Sequence, residues 1–214
     1  MPISEPMTLA TDYLIVVVSF VLYLKVRVLF RQSGIKALHF WSFAFLATAL
    51  SAFFGGSFHG FSEILSPSIL NGLWDLTLWS LGFVVFFMCL GTFHMGLSAK
   101  YLRLATVVIT VILLGYLGRS YFYKDFLLVI LNYGSALVFM LIFHGIRWLN
   151  TKDSSFAYVV WGVVISFIAA GIQQSNLDLH EHFNHNDLYH LVQLAGLLLM
   201  YKGVSLFRPT GERP

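Results

Sequence analysis

The sequence predicts an all-α polytopic membrane protein, with seven transmembrane helices in one bundle, the N-terminus outside and the C-terminus cytoplasmic. Three observations predict this. Of the 214 residues, 58% are hydrophobic and only 11% charged, whereas an ordinary soluble domain carries about 25% charge. The mean hydropathy is +0.78. Seven separate runs are apolar enough to supply the roughly 20 residues a spanning helix needs, and the basic residues fall into alternate connections between them.

The expected spans lie near residues 12–30, 37–61, 69–93, 103–118, 125–148, 156–175 and 186–207. The first carries DYLIVVVSFVLYL. The N-terminal stretch MPISEPMTLATDY carries Glu5 and Asp12 but no basic residue, which suits a retained span better than a cleaved leader with its basic first region. The second and third are long and glycine-containing. The fourth, LATVVITVILLGYLG, is the shortest expected span. The fifth and sixth are nearly free of charge, and Gly162, Ser166 and Ala170, four apart, mark a close helix contact in the sixth. The seventh begins with the polar stretch NHNDLYHLVQ and continues as LAGLLLMYKGVSLF. No internal repeat or linker divides the chain, so a single domain over residues 1–214 is expected.

Orientation follows from the basic residues. Lys25, Arg27, Arg31 and Lys36 flank the first connection, Lys100 and Arg103 the third, Arg147 and Lys152 the fifth, and Lys202, Arg208 and Arg213 the C-terminal end. Eleven of the 13 Lys and Arg therefore share one side, leaving Arg119 and Lys124 on the other. The positive-inside rule places the eleven in the cytoplasm. An even number of spans would mix the two groups. The net charge of +3 then reflects topology and lipid headgroups, and no basic stripe points to nucleic acid. Trp41, Trp74, Trp148 and Trp161 fall near span ends, where interfacial aromatics are expected. The one cysteine, Cys89, excludes an internal disulfide and a multi-cysteine metal site, and reads as a small buried hydrophobe. A small, short-looped chain without disulfides suits a bacterial inner membrane, with an endomembrane as the alternative.

Polar groups inside hydrocarbon are costly, so their clustering calls for a function. His39, His94 and His144 fall near cytoplasmic span ends and read as satisfied polar residues. His180 and His182, flanking Glu181, read as solvated loop residues. His59 at the end of the second span, Asp75 early in the third and His190 one turn into the seventh share a similar depth near the outer face. Ser51, Gly55 and His59 lie on one helical face, with Gly55 leaving room beside the imidazole, and Asn186, Asp187, His190 and Gln193 form a polar stripe. His185 and His190, five apart, diverge by about 140° on a regular helix. They can converge only if His185 precedes the helix, with Asn184, Asn186 or Asp187 as N-cap. Imidazoles and a carboxylate on separate helices are zinc-ligand chemistry, and a structural hydrogen-bonded trio is the plain alternative.

GGSFHG with His59, GLWDLTLWS with Asp75 and NDLYHLVQ with His190 resemble the motifs of a seven-span superfamily. It comprises the alkaline ceramidases and the progestin and adiponectin receptors. That resemblance implies a zinc site held by His59, His190 and a third ligand, either His185 or Asp187. It departs at Gly55, where the family has serine, and at Asn186, where it has histidine. The implied activity is zinc-dependent hydrolysis of an amide or ester bond in a lipid-like substrate drawn from the membrane lipids. Asp75 would position the metal-bound water and Ser57 would steady the developing oxyanion. The alternative is a non-catalytic receptor, sensor or interaction protein that uses the same residues structurally. Haem ligation by paired histidines and retinal attachment to Lys202 have less to support them, since Lys202 is already explained by topology.

Overall fold

The computed structural model describes residues 3–175, 178–180 and 183–209. Among them are seven helices: α1 (Pro6–Ser33), α2 (Lys36–Gly60), α3 (Pro67–Gly96), α4 (Ala99–Phe122), α5 (Phe126–Thr151), α6 (Ser154–Gln174) and α7 (His185–Leu206). Pro6 and Pro67 open α1 and α3 at a position where no backbone donor is lost. The carboxylates of Asp125 and Asp153 accept from Leu127 N and Ser155 N and so cap α5 and α6. Gly34, at φ 70°, closes α1 by donating its N–H to Phe30 O. Connections of two or three residues follow α1, α3, α4 and α5, and such short links turn the chain back at each of these ends, although α4 and α5 then keep little contact.

Six helices, α1 to α6, are long and apolar enough to cross a membrane. Their outward faces are greasy: Val17 and Leu24 on α1, Val107, Val111 and Leu114 on α4, and Leu131 and Ile142 on α5 are all exposed. An apolar surface of this extent suits a bilayer, and the chain is an integral membrane protein. The expectation of a seventh span needs correcting in one respect. The seventh helix exists and has 22 residues, but it falls short of the apolarity of the other six. Asn186, Asp187, His190 and Gln193 fill its first half, and Lys202 lies near its end. The fourth helix is longer than its apolar run, because Lys100, Arg103 and Arg119 are built into the helix ends.

Lipid tails are as apolar as leucine, so helices in a bilayer associate through close packing at small residues. The pairs α1–α2, α2–α3 and α6–α7 pack most extensively, α1 also meets α7, and α4 leans on α3 with little contact to α5. As anticipated, Gly162 and Ser166 mark a close contact, and the partner is α7. A Cβ on Gly196 would sit 2.9 Å from Ser166 Oγ, and one on Gly162 would sit 2.8 Å from Gly196 O. Trp41 departs from its expected interfacial position. It is buried at 1% exposure, because Gly91 of α3 leaves a slot that its indole fills. Trp161 is exposed, while Trp74 and Trp148 are half-buried.

The helix ends differ in charge. Around the start of α1 lie Glu5, Glu63, Asp75, Asp125 and Asp178, with Arg119 and Lys124. Around the other end lie Arg27, Lys36, Lys100, Arg103, Arg147, Lys152 and Arg208. Arg213 falls outside the described residues.

The α6–α7 seam gives a direct test. A Cβ on Gly203 would lie 2.5 Å from the Ser155 carbonyl, whereas one on Gly171 meets open space. Gly203→Ala should lower stability in detergent by about 1–3 kcal/mol through overpacking. Gly171→Ala should be neutral or stabilising by up to about 1 kcal/mol. Thermal melts of the two variants beside the native chain provide the comparison.

Candidate polar site between α1, α2 and α7

On α1, Thr8, Thr11 and Asp12 occupy i, i+3 and i+4, which puts them on one face. That face meets Asp187 and His190 on α7, which are i and i+3. All five side chains belong to residues that are buried. Thr8 Oγ1 donates to Asp187 Oδ1 at 3.0 Å. Thr11 Oγ1 lies 2.9 Å from His190 Nδ1, and His190 Nε2 lies 3.3 Å from Asp12 Oδ1. The result is a polar ladder holding the first helix to the last.

Local sequence explains why α7 presents this face. Asn184 caps the helix, its side chain accepting from Asn186 N and Asp187 N. Asp187 Oδ2 accepts in return from Asn184 N at 2.9 Å, completing a capping box. Asp187 therefore accepts at both oxygens, once from its own helix terminus and once from Thr8. One turn beyond His190, Gln193 Nε2 donates to Ser166 Oγ at 3.1 Å. Of the expected stripe, Asp187, His190 and Gln193 are buried in the bundle while Asn186 is half-buried, and of the three N-cap candidates Asn184, Asn186 and Asp187 it is Asn184 that caps the helix.

The proton positions follow from the partners. The Thr11 hydroxyl has one hydrogen, and Oγ1 lies 3.0 Å from Met7 O and 3.1 Å from Thr8 O. Carbonyl oxygens only accept, so we assign that hydrogen to them, as is usual for threonine in a helix. Oγ1 then accepts from His190, which places a proton on Nδ1. The contact between His190 Nε2 and Asp12 Oδ1 needs one further proton. It resides either on the carboxyl, facing a neutral imidazole, or on Nε2, facing a carboxylate.

α2 forms the third wall. A Cβ on Gly56 would lie 2.7 Å from Asp12 Cβ, so glycine is what lets α1 bring Asp12 this close. Ser57 Oγ donates to Phe53 O at 2.6 Å and so accepts from Tyr13 OH at 3.0 Å. At the rim, His59 Nδ1 stands 3.4 Å from Glu5 Oε1, both side chains about a third exposed or more (32% and 42%). Gly55 faces Thr77 of α3, at 3.5 Å from a notional Cβ, so the room it leaves lies toward α3.

The other sequence candidates are placed elsewhere. Asp75 is held by Lys124, whose Nζ lies 2.8 Å from the carboxylate. Trp74 Nε1 donates to Lys124 O at 3.3 Å, so both residues tie α3 to the turn between α4 and α5. His185 is the first residue of α7 and turns back to Asp178, its Nδ1 2.9 Å from Asp178 Oδ1. That side-chain bond, with a second from His185 N, holds the exposed Asp178 carboxyl below the usual carboxylate range. Among the described residues no group of three or more His, Cys, Asp or Glu is arranged to hold a metal ion. His59, His185 and His190 each have a separate carboxylate partner, so among the described residues these three histidines are not gathered around one point. Of the remaining histidines, His39 meets Arg27 at 2.9 Å, His94 meets Leu90 O at 2.9 Å and His144 meets Thr92 at 3.1 Å. His180 is exposed, and His182 and Glu181 fall outside the described residues.

Sequence reasoning missed Asp12, Thr8 and Thr11. The signal was present, since an intramembrane carboxylate is a functional hypothesis by default. With the first span set to begin at residue 12, Asp12 counted as a terminal residue. The helix begins at Pro6, so Asp12 lies about 9 Å inside it at 1.5 Å per residue.

Fold and site together define a polytopic α-helical membrane protein with a buried polar ladder between its first and last helices. The chain belongs to a family of unknown function, DUF6962, whose model matches residues 7–209, from the first turn of α1 through the end of α7. No curated protein and no solved structure matches the chain, and no link to the alkaline ceramidases or the progestin and adiponectin receptors emerges.

The ladder has unequal rungs. Asp187→Ala removes the capping box and leaves the Thr8 hydroxyl unpaired, and should cost about 1–3 kcal/mol. Thr8→Val keeps the cap and should cost less. Asp75→Ala breaks only a half-exposed pair, worth about 0.2–1 kcal/mol. Denaturation in detergent should rank the three in that order.

Proposed function

We propose that this chain is a non-catalytic membrane receptor or sensor whose responsive element is the polar site between α1, α2 and α7. The observation that supports this is His190, held between Thr11 at Nδ1 and Asp12 at Nε2. It provides one movable proton on the contact that fixes α1 to α7. A proton or a small polar ligand reaching this end through the Glu5–His59 rim changes the strength of that contact, and so how firmly α1 is held. Ionisable groups facing a bundle interior commonly serve as ion or proton sites.

In this reading α7 crosses the membrane as a seventh span. Its polar face is sheltered by α1 and α6, which makes its lower apolarity tolerable. The basic end then faces the cytoplasm and the polar site lies near the outer face. A bacterial inner membrane is the setting that such a short-looped chain suits.

The hydrolase reading requires His59, His190 and a third ligand to gather on zinc. Asp75 and Ser57 would then serve the reaction, yet both are committed to other partners in this structure. Metal content decides between the readings: protein purified without chelator and offered zinc should hold no stoichiometric metal. About one zinc per chain, lost in a His59→Ala, His190→Ala double variant, would reinstate the hydrolase.

The sensor reading is tested by hydrogen exchange across α1 between pH 5 and pH 8. Native protein should show a reversible change in protection around residues 8–15. Asp12→Asn and His190→Gln should flatten it. A response that persists unchanged in both variants, or its absence from the native chain, contradicts the proposal.

A further inference from the structure

At the basic end of the bundle, His144 and Arg147 stand three residues apart on α5 and share one face, their Cβ atoms roughly 5–6 Å apart. Both rest on α6. The His144 ring lies 5.7 Å from the Phe156 ring centroid, and the guanidinium carbon of Arg147 lies 5.4 Å from it. α3 forms a second wall at the same two levels. Thr92 Oγ1 lies 3.1 Å from His144 Nε2, and a Cβ on Gly96 would lie 3.2 Å from Arg147 Nε. Three helices thus enclose the pair, and neither residue belongs to the polar ladder at the other end.

Each of the two carries a buried nitrogen with no hydrogen-bond partner among the described residues, Nδ1 of His144 and Nε of Arg147. His144 is wholly buried. Thr48 and Thr77 donate their hydroxyl hydrogens to the carbonyl four residues back, whereas Thr92 Oγ1 is paired with His144 Nε2. With Thr92 donating to Nε2, the neutral imidazole carries its hydrogen on Nδ1. The reverse arrangement would strand both the Thr92 hydrogen and the Nδ1 lone pair, each at a cost. Nδ1–H and Nε–H are therefore two inward donors that face no acceptor, a costly state at membrane depth.

The donor set selects the ligand. Arginine only donates and stays charged, and among the described residues no carboxylate comes within ion-pair distance of Arg147. Two N–H donors, one of them on a cation, fit an anion and repel a metal ion or an amine. Depth selects its kind. His144 lies seven residues before the end of α5, about 10 Å inside at 1.5 Å per residue. Arg147, half-buried, lies four residues before that end. An ion entering from the aqueous side meets Arg147 first and His144 behind it. A partner so deep suits a compact ion, since a lipid keeps its phosphate at the interface.

We propose that His144 and Arg147 hold one small inorganic anion, chloride or phosphate, between α3, α5 and α6. The anion accepts from Nδ1–H and Nε–H and balances the guanidinium charge, while Thr92 fixes the imidazole in the donating tautomer. The proposal is independent of the polar ladder and of the sensor reading.

The test moves the full chain, in nonionic detergent at one pH, from bulky gluconate into sodium chloride or sodium phosphate at constant ionic strength. Nitrogen-15 NMR of histidine-labelled protein, with His144 assigned by its loss in His144→Gln, should show a protonated Nδ1 that shifts saturably with one of these anions. The melting temperature should rise with the same saturation, by about 5–10 °C at a hundredfold excess over the dissociation constant. Arg147→Gln should weaken binding about tenfold or more. His144→Gln, whose amide still reaches Thr92, removes the Nδ1 donor and should flatten the melting response. An Nδ1 signal and a melting temperature indifferent to both anions overturn the proposal, as does an equal response in Arg147→Gln. Stabilisation that requires added phosphatidylglycerol would assign the pair to a lipid headgroup and also overturns it. The native titration decides the matter even if a variant fails to fold.

Discussion

Inside a bilayer a polar side chain must find its partner within the protein, and an unpaired one costs several kcal/mol. The arrangement at the α1–α7 end follows from that requirement. Asp12 and His190 would each be a heavy liability on an isolated helix. Together, with Thr11 fixing the imidazole and Thr8 joining Asp187, they become the contact that closes the bundle between its first and last helices. The remaining packing serves to bring them together. Gly56 lets α1 approach α2 at Asp12, and Gly162 and Gly196 let α6 cover the polar face of α7.

Much of this fold was legible because hydropathy and charge alternation are physical requirements of the bilayer. The number and order of helices follow from them, and the glycine–serine spacing of α6 correctly marked a tight seam. The seventh helix was read as greasier than it is. Its apolar second half dominated, while Asp187, His190 and Gln193 lowered the whole below the other six. Trp41 shows a second limit, for its burial depends on a gap at Gly91 that only the folded α2–α3 pair reveals.

The site was half legible. His190 and Asp187 stood out as intramembrane polar residues, and both belong to the ladder. Their partners came from α1, which sequence order separates from α7 by the length of the chain. Asp75, by contrast, matched in depth but not in direction. Depth along a helix can be counted from its ends, but the neighbour a side chain meets depends on helix order and rotation. Lys124 lies one short turn away from α4 and takes the Asp75 carboxylate. The same reasoning separates His185 from His190: the first residue of α7 turns outward to Asp178 while His190 turns inward. Three motifs that resemble a zinc site in sequence are thus distributed over three separate contacts.

The account rests on the proton assignment at His190, with Nδ1–H donated to Thr11 and a proton shared between Nε2 and Asp12. Nitrogen-15 NMR of histidine-labelled protein in bilayers, with the signal assigned by its loss in His190→Gln, reads both ring nitrogens directly. The account predicts a protonated Nδ1 and an Nε2 shift that moves on Asp12→Asn. An unprotonated Nδ1, or an Nε2 indifferent to Asp12→Asn, would contradict it.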